Sequence, residues 1–173
     1  MVTHKRIEVN PNQIKAINDL RTPRNPKEVQ KLTGMATALN RFISQSADRC
    51  GPFFLLINKW KNFEWTEECA RAFQQLKDYL ARSPIMFSLE PDEVLFAYIA
   101  VALYAVSLVL IRVDNGIQRP VYYVSKSLHE VEVHYLPLEK AILAVVFGTR
   151  KLPHYFQAHT VVVLTQLPLK TIL

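Results

Sequence analysis

The chain has 173 residues, half of them apolar, which is a globular composition with material for one ordinary domain or two small ones. Its formal charge of +6 divides evenly: fourteen Lys and Arg against eleven Asp and Glu in residues 1–93, seven against four afterwards. That balance is compatible with nucleic acid without demanding it. Cys50 and Cys69 lack zinc spacing and are too few for a disulfide framework, which suits a reducing, intracellular setting, and MVTHKRIEVN has no secretory apolar segment.

Residues 1–9 alternate weakly, with Val2, Ile7 and Val9 apolar, and read as a strand without neighbours. Asn10-Pro11-Asn12-Gln13 opens a short helix to about Leu20, with a cap residue and proline at the first helical position. Asn25-Pro26-Lys27-Glu28 repeats the logic more strongly. The helix it opens, over residues 26–44, has Val29, Leu32, Ala36, Leu39 and Ile43 on one face and Lys27, Lys31 and Arg41 among its polar positions. Pro52 precedes a third helix, FFLLI, and then the basic, aromatic segment Lys59-Trp60-Lys61-Asn62-Phe63-Glu64-Trp65. Its tryptophans suit packing between helices better than base stacking. Thr66 caps the next helix, with Glu67 and Glu68 in its first turn and Cys69, Phe73, Leu76 and Leu80 on its face. Pro84 stops it. Residues 84–93 read as a linker, so the chain divides near residue 84 into a helical part and an α/β part.

The second part is organised around Val94 to Leu110, VLFAYIAVALYAVSLVL, the most apolar run of the chain. The run is long enough to count as a transmembrane candidate. The turn signal Asp114-Asn115-Gly116 and the β-rich segment PVYYVSKSL after it argue for a sheet centre instead. A helix follows, LEKAILAVVFGTRKL, expected to bury Leu138, Ile142, Val145, Val146 and Leu152, and then the β-branched strand TVVVL from Thr160. The order β-β-β-α-β, an antiparallel meander before a crossover helix, belongs to an α/β sheet domain.

These segments carry a resemblance. The run from Asn10 to Met86 resembles the segment after the reverse transcriptase palm in Pol polyproteins of gypsy-type LTR retrotransposons, especially those of plants. PVYYVSKSL, HYLPLEKAILAVVFGTRKLPHYFQAHTVVVLT and PLKTIL resemble the start of the attached RNase H domain. The resemblance implies an α/β (α+β) architecture: thumb and connection helices over residues 1–83, then an RNase H-like mixed sheet with a crossover helix over 84–173, incomplete at its C-terminal side.

Enzymes of that kind cleave the RNA strand of an RNA·DNA hybrid with two Mg²⁺ ions held by four carboxylates. In the family the first aspartate lies seven residues before the glycine of a GAVL-like segment; here that segment is Ser107-Leu108-Val109-Leu110, so the aspartate's place falls to Ala100. The glutamate of the first helix matches Glu139. The aspartate of a TDxPL-like pattern falls at Gln166, and the fourth carboxylate would lie beyond Leu173. From Val94 onward the acids are Asp114, Glu130, Glu132 and Glu139. The first three read as solvated loop residues and only Glu139 as placed among core-facing ones. One carboxylate cannot position two hard divalent ions, so the expectation is no bound cofactor and no metal site. His129, His134, His154 and His159 lack ligand spacing, the four glycines form no phosphate-cradling loop, and the paired aspartates of a polymerase palm are missing.

The expected partner is therefore nucleic acid, an RNA·DNA hybrid bound weakly and without sequence preference through Lys27, Lys31, Arg41, Lys59 and Lys61, with no small-molecule substrate and no membrane. The alternative is the product of a decayed element that does nothing, or one whose apolar run sends it to a membrane or an aggregate.

Overall fold

In the computed structural model residues 2–3, 6–57, 63–82 and 84–167 are described. They build two layered units that share one seam. The first begins with β1 (Val2–Thr3) and β2 (Arg6–Glu8), followed by α1 (Pro11–Asn18), α2 (Pro26–Ala38), a 3-10 turn at Asn40–Phe42, α3 (Ser46–Arg49), α4 (Gly51–Ile57) and α5 (Glu67–Ala81). β3 (Ile85–Phe87) closes it as the third strand of an antiparallel sheet in the order β1-β2-β3, with Ile7 opposite Met86. Two expectations are corrected here. The N-terminal strand has its neighbours, and residues 85–87 are not linker, because Met86 is fully buried in the core of the helices.

Local signals placed the helices. The Asn25 side-chain oxygen accepts from the Glu28 N–H at 3.0 Å, satisfying an orphan donor of the first turn of α2, while the Glu28 carboxylate accepts from the Arg24 N–H, just before the cap, at 2.7 Å. Thr66 Oγ1 accepts from the Cys69 N–H at 3.3 Å, and Cys69, Phe73, Leu76 and Leu80 are all buried. α2 ends at Ala38, short of the expected residue 44. Leu39 caps it, and Ile43, although buried, is reached through the 3-10 turn in extended backbone. Trp65 is a packing residue, stacked on Phe53 at 5.9 Å and edge-on to Phe73 at 5.9 Å.

The second unit is a mixed sheet in the order β6-β5-β4-β7, made by β4 (Leu95–Val101), β5 (Ala105–Asp114), β6 (Ile117–Ser127) and β7 (Val161–Leu164). Its helices are α6 (Glu130–Val133), α7 (Pro137–Lys151) and α8 (Pro153–Ala158). The apolar run from Val94 is thus two antiparallel strands folded at Ala102–Tyr104. Among the described residues no helix is long and apolar enough to cross a membrane. Asn115 and Gly116 take φ of 50° and 78° in the β5–β6 turn, the left-handed pair that an Asn-Gly hairpin requires. β7 pairs parallel with β4, as a crossover through α7 demands.

α7 buries a different face from the one expected. Lys140, Ala141, Ala144 and Gly148 face inward, while Leu138, Ile142 and Val145 are half-buried and Val146 is exposed. Close approach explains it: a Cβ on Gly148 would stand 3.0 Å from Leu108 Cδ1, so small residues let the helix lie flat on the strands. Bulky side chains are displaced to the flank.

Candidate functional site

Pairing decides which side chains share a face. Ala100 lies opposite Ser107, which lies opposite Ser125 across β4, β5 and β6, and paired residues project to the same side. The neighbouring set, Ile99, Leu108 and Val124, takes the other side, where Leu108 touches Gly148 of α7. Ala100 and α7 are therefore on opposite faces of the sheet. Gln166 is exposed and lies two residues past Leu164, as Ala100 lies two past its partner Tyr98, so a methyl and an amide terminate the parallel pair.

Glu139 is the residue the sequence reading misplaced. It is exposed, and its carboxylate turns back to accept from the Leu136 N–H at 2.8 Å, capping α7. Its neighbour Lys140 is the buried one, its stem covered and its Nζ donating to the Leu103 carbonyl at 3.0 Å. Glu132 is no free loop acid either: it pairs with Lys126 and accepts from the His129 N–H at 2.8 Å, and these hydrogen bonds hold its carboxyl below the usual carboxylate range.

The face bearing Ala100 is partly covered by the first unit. Gln45 and Asp48 of the α3 region line a shallow crevice with Ala100, Ser107 and Ser125, and the Ala47 N–H donates to Ser125 Oγ at 2.9 Å. Asp48 is the carboxylate nearest this position in that crevice, and nothing in its local sequence distinguished it. Two Mg²⁺ ions do not fit these residues, because the positions that the resemblance assigns to ion-holding aspartates present a methyl and a neutral amide, and the carboxylates nearby are a capping one on the far face and one exposed aspartate. Among the described residues no three His, Cys, Asp or Glu converge on a point.

The cations expected to meet nucleic acid separate into different roles. Lys27 and Lys31 are exposed on one stripe of α2. Gly34, which sequence reasoning overlooked, continues that stripe with nothing within 4 Å of where a Cβ would stand, so this face of the helix is bare. Arg41 does not join them. Its guanidinium lies between the Phe42 ring at 5.1 Å and the Tyr122 ring at 5.0 Å, in the seam between the 3-10 turn and β6. The reason is the early end of α2, which turns Arg41 off the helical stripe and toward the sheet. The same seam holds Arg119 over Phe87 at 4.8 Å. Lys59 and Lys61 lie outside the described residues. Beside the stripe runs a neutral groove lined by Thr37, Asn40, Ser46, Phe54, Ser125 and Ser127, between α2 and β6.

A family description, the RNase H-like domain found in reverse transcriptase, matches residues 65–163. The chain is 28% identical over 156 residues to the retrovirus-related Pol polyprotein from transposon 297 of Drosophila melanogaster, covering 90% of this chain and 14% of that protein. To the Pol polyprotein from transposon opus of the same organism it is 27% identical, over 95% of this chain and 18% of the relative. It thus spans less than a fifth of either relative's length. Among solved structures it is similar to the foamy viral protease-reverse transcriptase dRH in complex with ds DNA, with a TM-score of 0.78 at 18% identity over 95% of this chain and 29% of that one. The foamy viral enzyme in complex with RNA/DNA hybrid gives 0.74 at 19% identity, over 90% of this chain and 21% of that one.

Proposed function

The chain belongs to the RNase H-like domains found in reverse transcriptases, as part of a retroelement Pol polyprotein, and from that premise we propose that it is a non-catalytic module that holds nucleic acid for its parent protein. What supports this reading is the Ala100 face: the positions that the resemblance assigns to aspartates, Ala100 and Gln166, hold a methyl and an amide, and the helical unit packs against that face through the Ala47–Ser125 hydrogen bond. Water activation by paired ions has no footing there. Residues 1–83 supply the thumb and connection helices and residues 84–173 the RNase H-like sheet, with the strand at 85–87 paired into the first part. The finer lineage, a gypsy-type element of plant type, rests on the ordered series of segments from Asn10 to Leu173.

The ligand is an RNA·DNA hybrid or duplex DNA, the nucleic acids held in the structural neighbours. It lies along α2, where Lys27 and Lys31 neutralise phosphates and the hydroxyls of Thr37, Ser46 and Ser127 are available as neutral donors. Contacts of this kind read no bases, so binding is weak and sequence-independent.

Titration of a fluorescent hybrid at a series of salt concentrations tests the reading. Affinity falls with salt, and Lys27→Ala with Lys31→Ala lowers the slope of log K against log salt by up to about 2. In parallel, a labelled hybrid incubated with the chain in Mg²⁺ or Mn²⁺ stays intact. Cleavage abolished by Glu139→Gln would overturn the non-catalytic reading; an unchanged slope would overturn the α2 interface.

A further inference from the structure

The end of the second sheet that carries Ala100 also gathers apolar side chains left in solvent. The turn between β4 and β5 is held from two sides: Lys140 Nζ donates to the Leu103 carbonyl at 3.0 Å, and the Leu128 N–H donates to the Tyr104 carbonyl at 2.8 Å. Those contacts draw α6 and the start of α7 against the turn. Leu103, Tyr104, Val131, Tyr135 and Leu136 consequently share one end of the molecule, exposed by 62, 65, 71, 39 and 66%. Exposed hydrophobic residues met singly are ordinary, but five in one place mark an interaction surface.

The charges around them decide what covers it. Both lysines of the region are spent, Lys140 on a carbonyl and Lys126 on Glu132, so nothing there attracts phosphate. The exposed titratable side chains at the rim are Glu130 and Glu139, with His129 and His134. Carboxylates beside imidazoles are self-complementary, because a two-fold axis sets the N–H donors of one copy against the acceptors of the other. The five side chains leave roughly 500 Å² of apolar surface, near the upper size found on monomers. Doubled across a two-fold axis, about 1,000 Å² sits at the lower bound for a specific interface.

We propose that this end of the sheet is a self-association surface whose occupant is a second copy of the chain, forming a weak, symmetric dimer. It is separate from the α2 stripe, so its failure and the failure of the nucleic-acid reading are distinguishable.

Sedimentation equilibrium of the full chain, from micromolar to millimolar concentration, tests it. The expected result is a reversible monomer–dimer equilibrium that Leu103→Asp with Leu136→Asp weakens at least about tenfold, a loss of about 1.4 kcal/mol. Val162→Lys, on the exposed outer edge of β7, leaves it unchanged. Should the charged double variant fail to fold by circular dichroism, Tyr104→Ser and Val131→Ser carry the same expectation in milder form. The proposal is overturned by a monomer at all concentrations, by association that survives these substitutions, or by association that disappears in Val162→Lys, which would mean edge-strand pairing. It is also overturned if the substitutions weaken hybrid binding and spare the dimer.

Discussion

Gly34→Ala separates the stability of α2 from its use. Gly34 sits mid-helix on the exposed stripe, between Lys31 and Ala38, and apart from its own helix backbone and chain neighbours no described atom comes within 4 Å of where a Cβ would stand. Glycine inside a helix costs about 0.8–1.0 kcal/mol relative to alanine through backbone entropy, and nothing at this position opposes recovery of that amount. For a chain of this size the gain raises Tm by about 2–4 °C. If a sugar–phosphate backbone lies along Lys27, Lys31 and Gly34, the added methyl holds it off the helix. Loss of one close polar contact, about 1 kcal/mol, weakens hybrid binding by roughly fivefold. The assay is a thermal melt followed by hybrid titration at fixed salt, on the variant and the parent side by side. A variant that melts higher but binds the hybrid equally well would refute the placement of nucleic acid on α2. One that gains no stability would refute the account of Gly34 as an uncompensated helix interior.

Arg41→Ala removes the guanidinium between Phe42 and Tyr122 and lowers stability by about 1–2 kcal/mol, while the salt slope of hybrid binding stays as in the parent; both are read from the same melts and titrations. Gly148→Ala gains no stability by thermal melt, in contrast to Gly34→Ala, since its Cβ meets Leu108 Cδ1 at 3.0 Å and the overpacking offsets the helical gain. Burial pushes the Cys50 thiol up from 9.0 to about 11, so Cys50 resists maleimide at mildly alkaline pH in the folded chain and reacts on unfolding. Because its folded value is raised, the neutral thiol favours the fold below pH 9.0, and that contribution is lost as pH climbs toward about 11. Glu132 has the opposite sign: its carboxyl is held below 4.5, so its contribution is present above that pH and disappears on acidification through the lower folded value. Glu132→Gln should therefore flatten the acid limb of the stability curve measured by urea titration.

Reading the chain alone was enough wherever the cause is local. Asn25, Glu28 and Thr66 name their helices because a cap is satisfied within four residues, and Asn115-Gly116 names a hairpin because its turn needs two positive φ angles. What tertiary structure decided is which surface each residue meets. The face of α7 was chosen by close packing on Leu108, which favours Ala141, Ala144 and Gly148 over larger aliphatic neighbours with the same periodicity, and no helical wheel records the distance to a strand. Arg41 was turned to an aromatic seam by Tyr122, some eighty positions away, whereas Glu139 caps its own helix end through the Leu136 N–H, a local contact that the sequence reading passed over. Arg6–Glu8 had no visible partner on its β3 side because Ile85–Phe87 lies more than seventy positions away, and such strand pairing is a long-range contact that local pattern cannot specify.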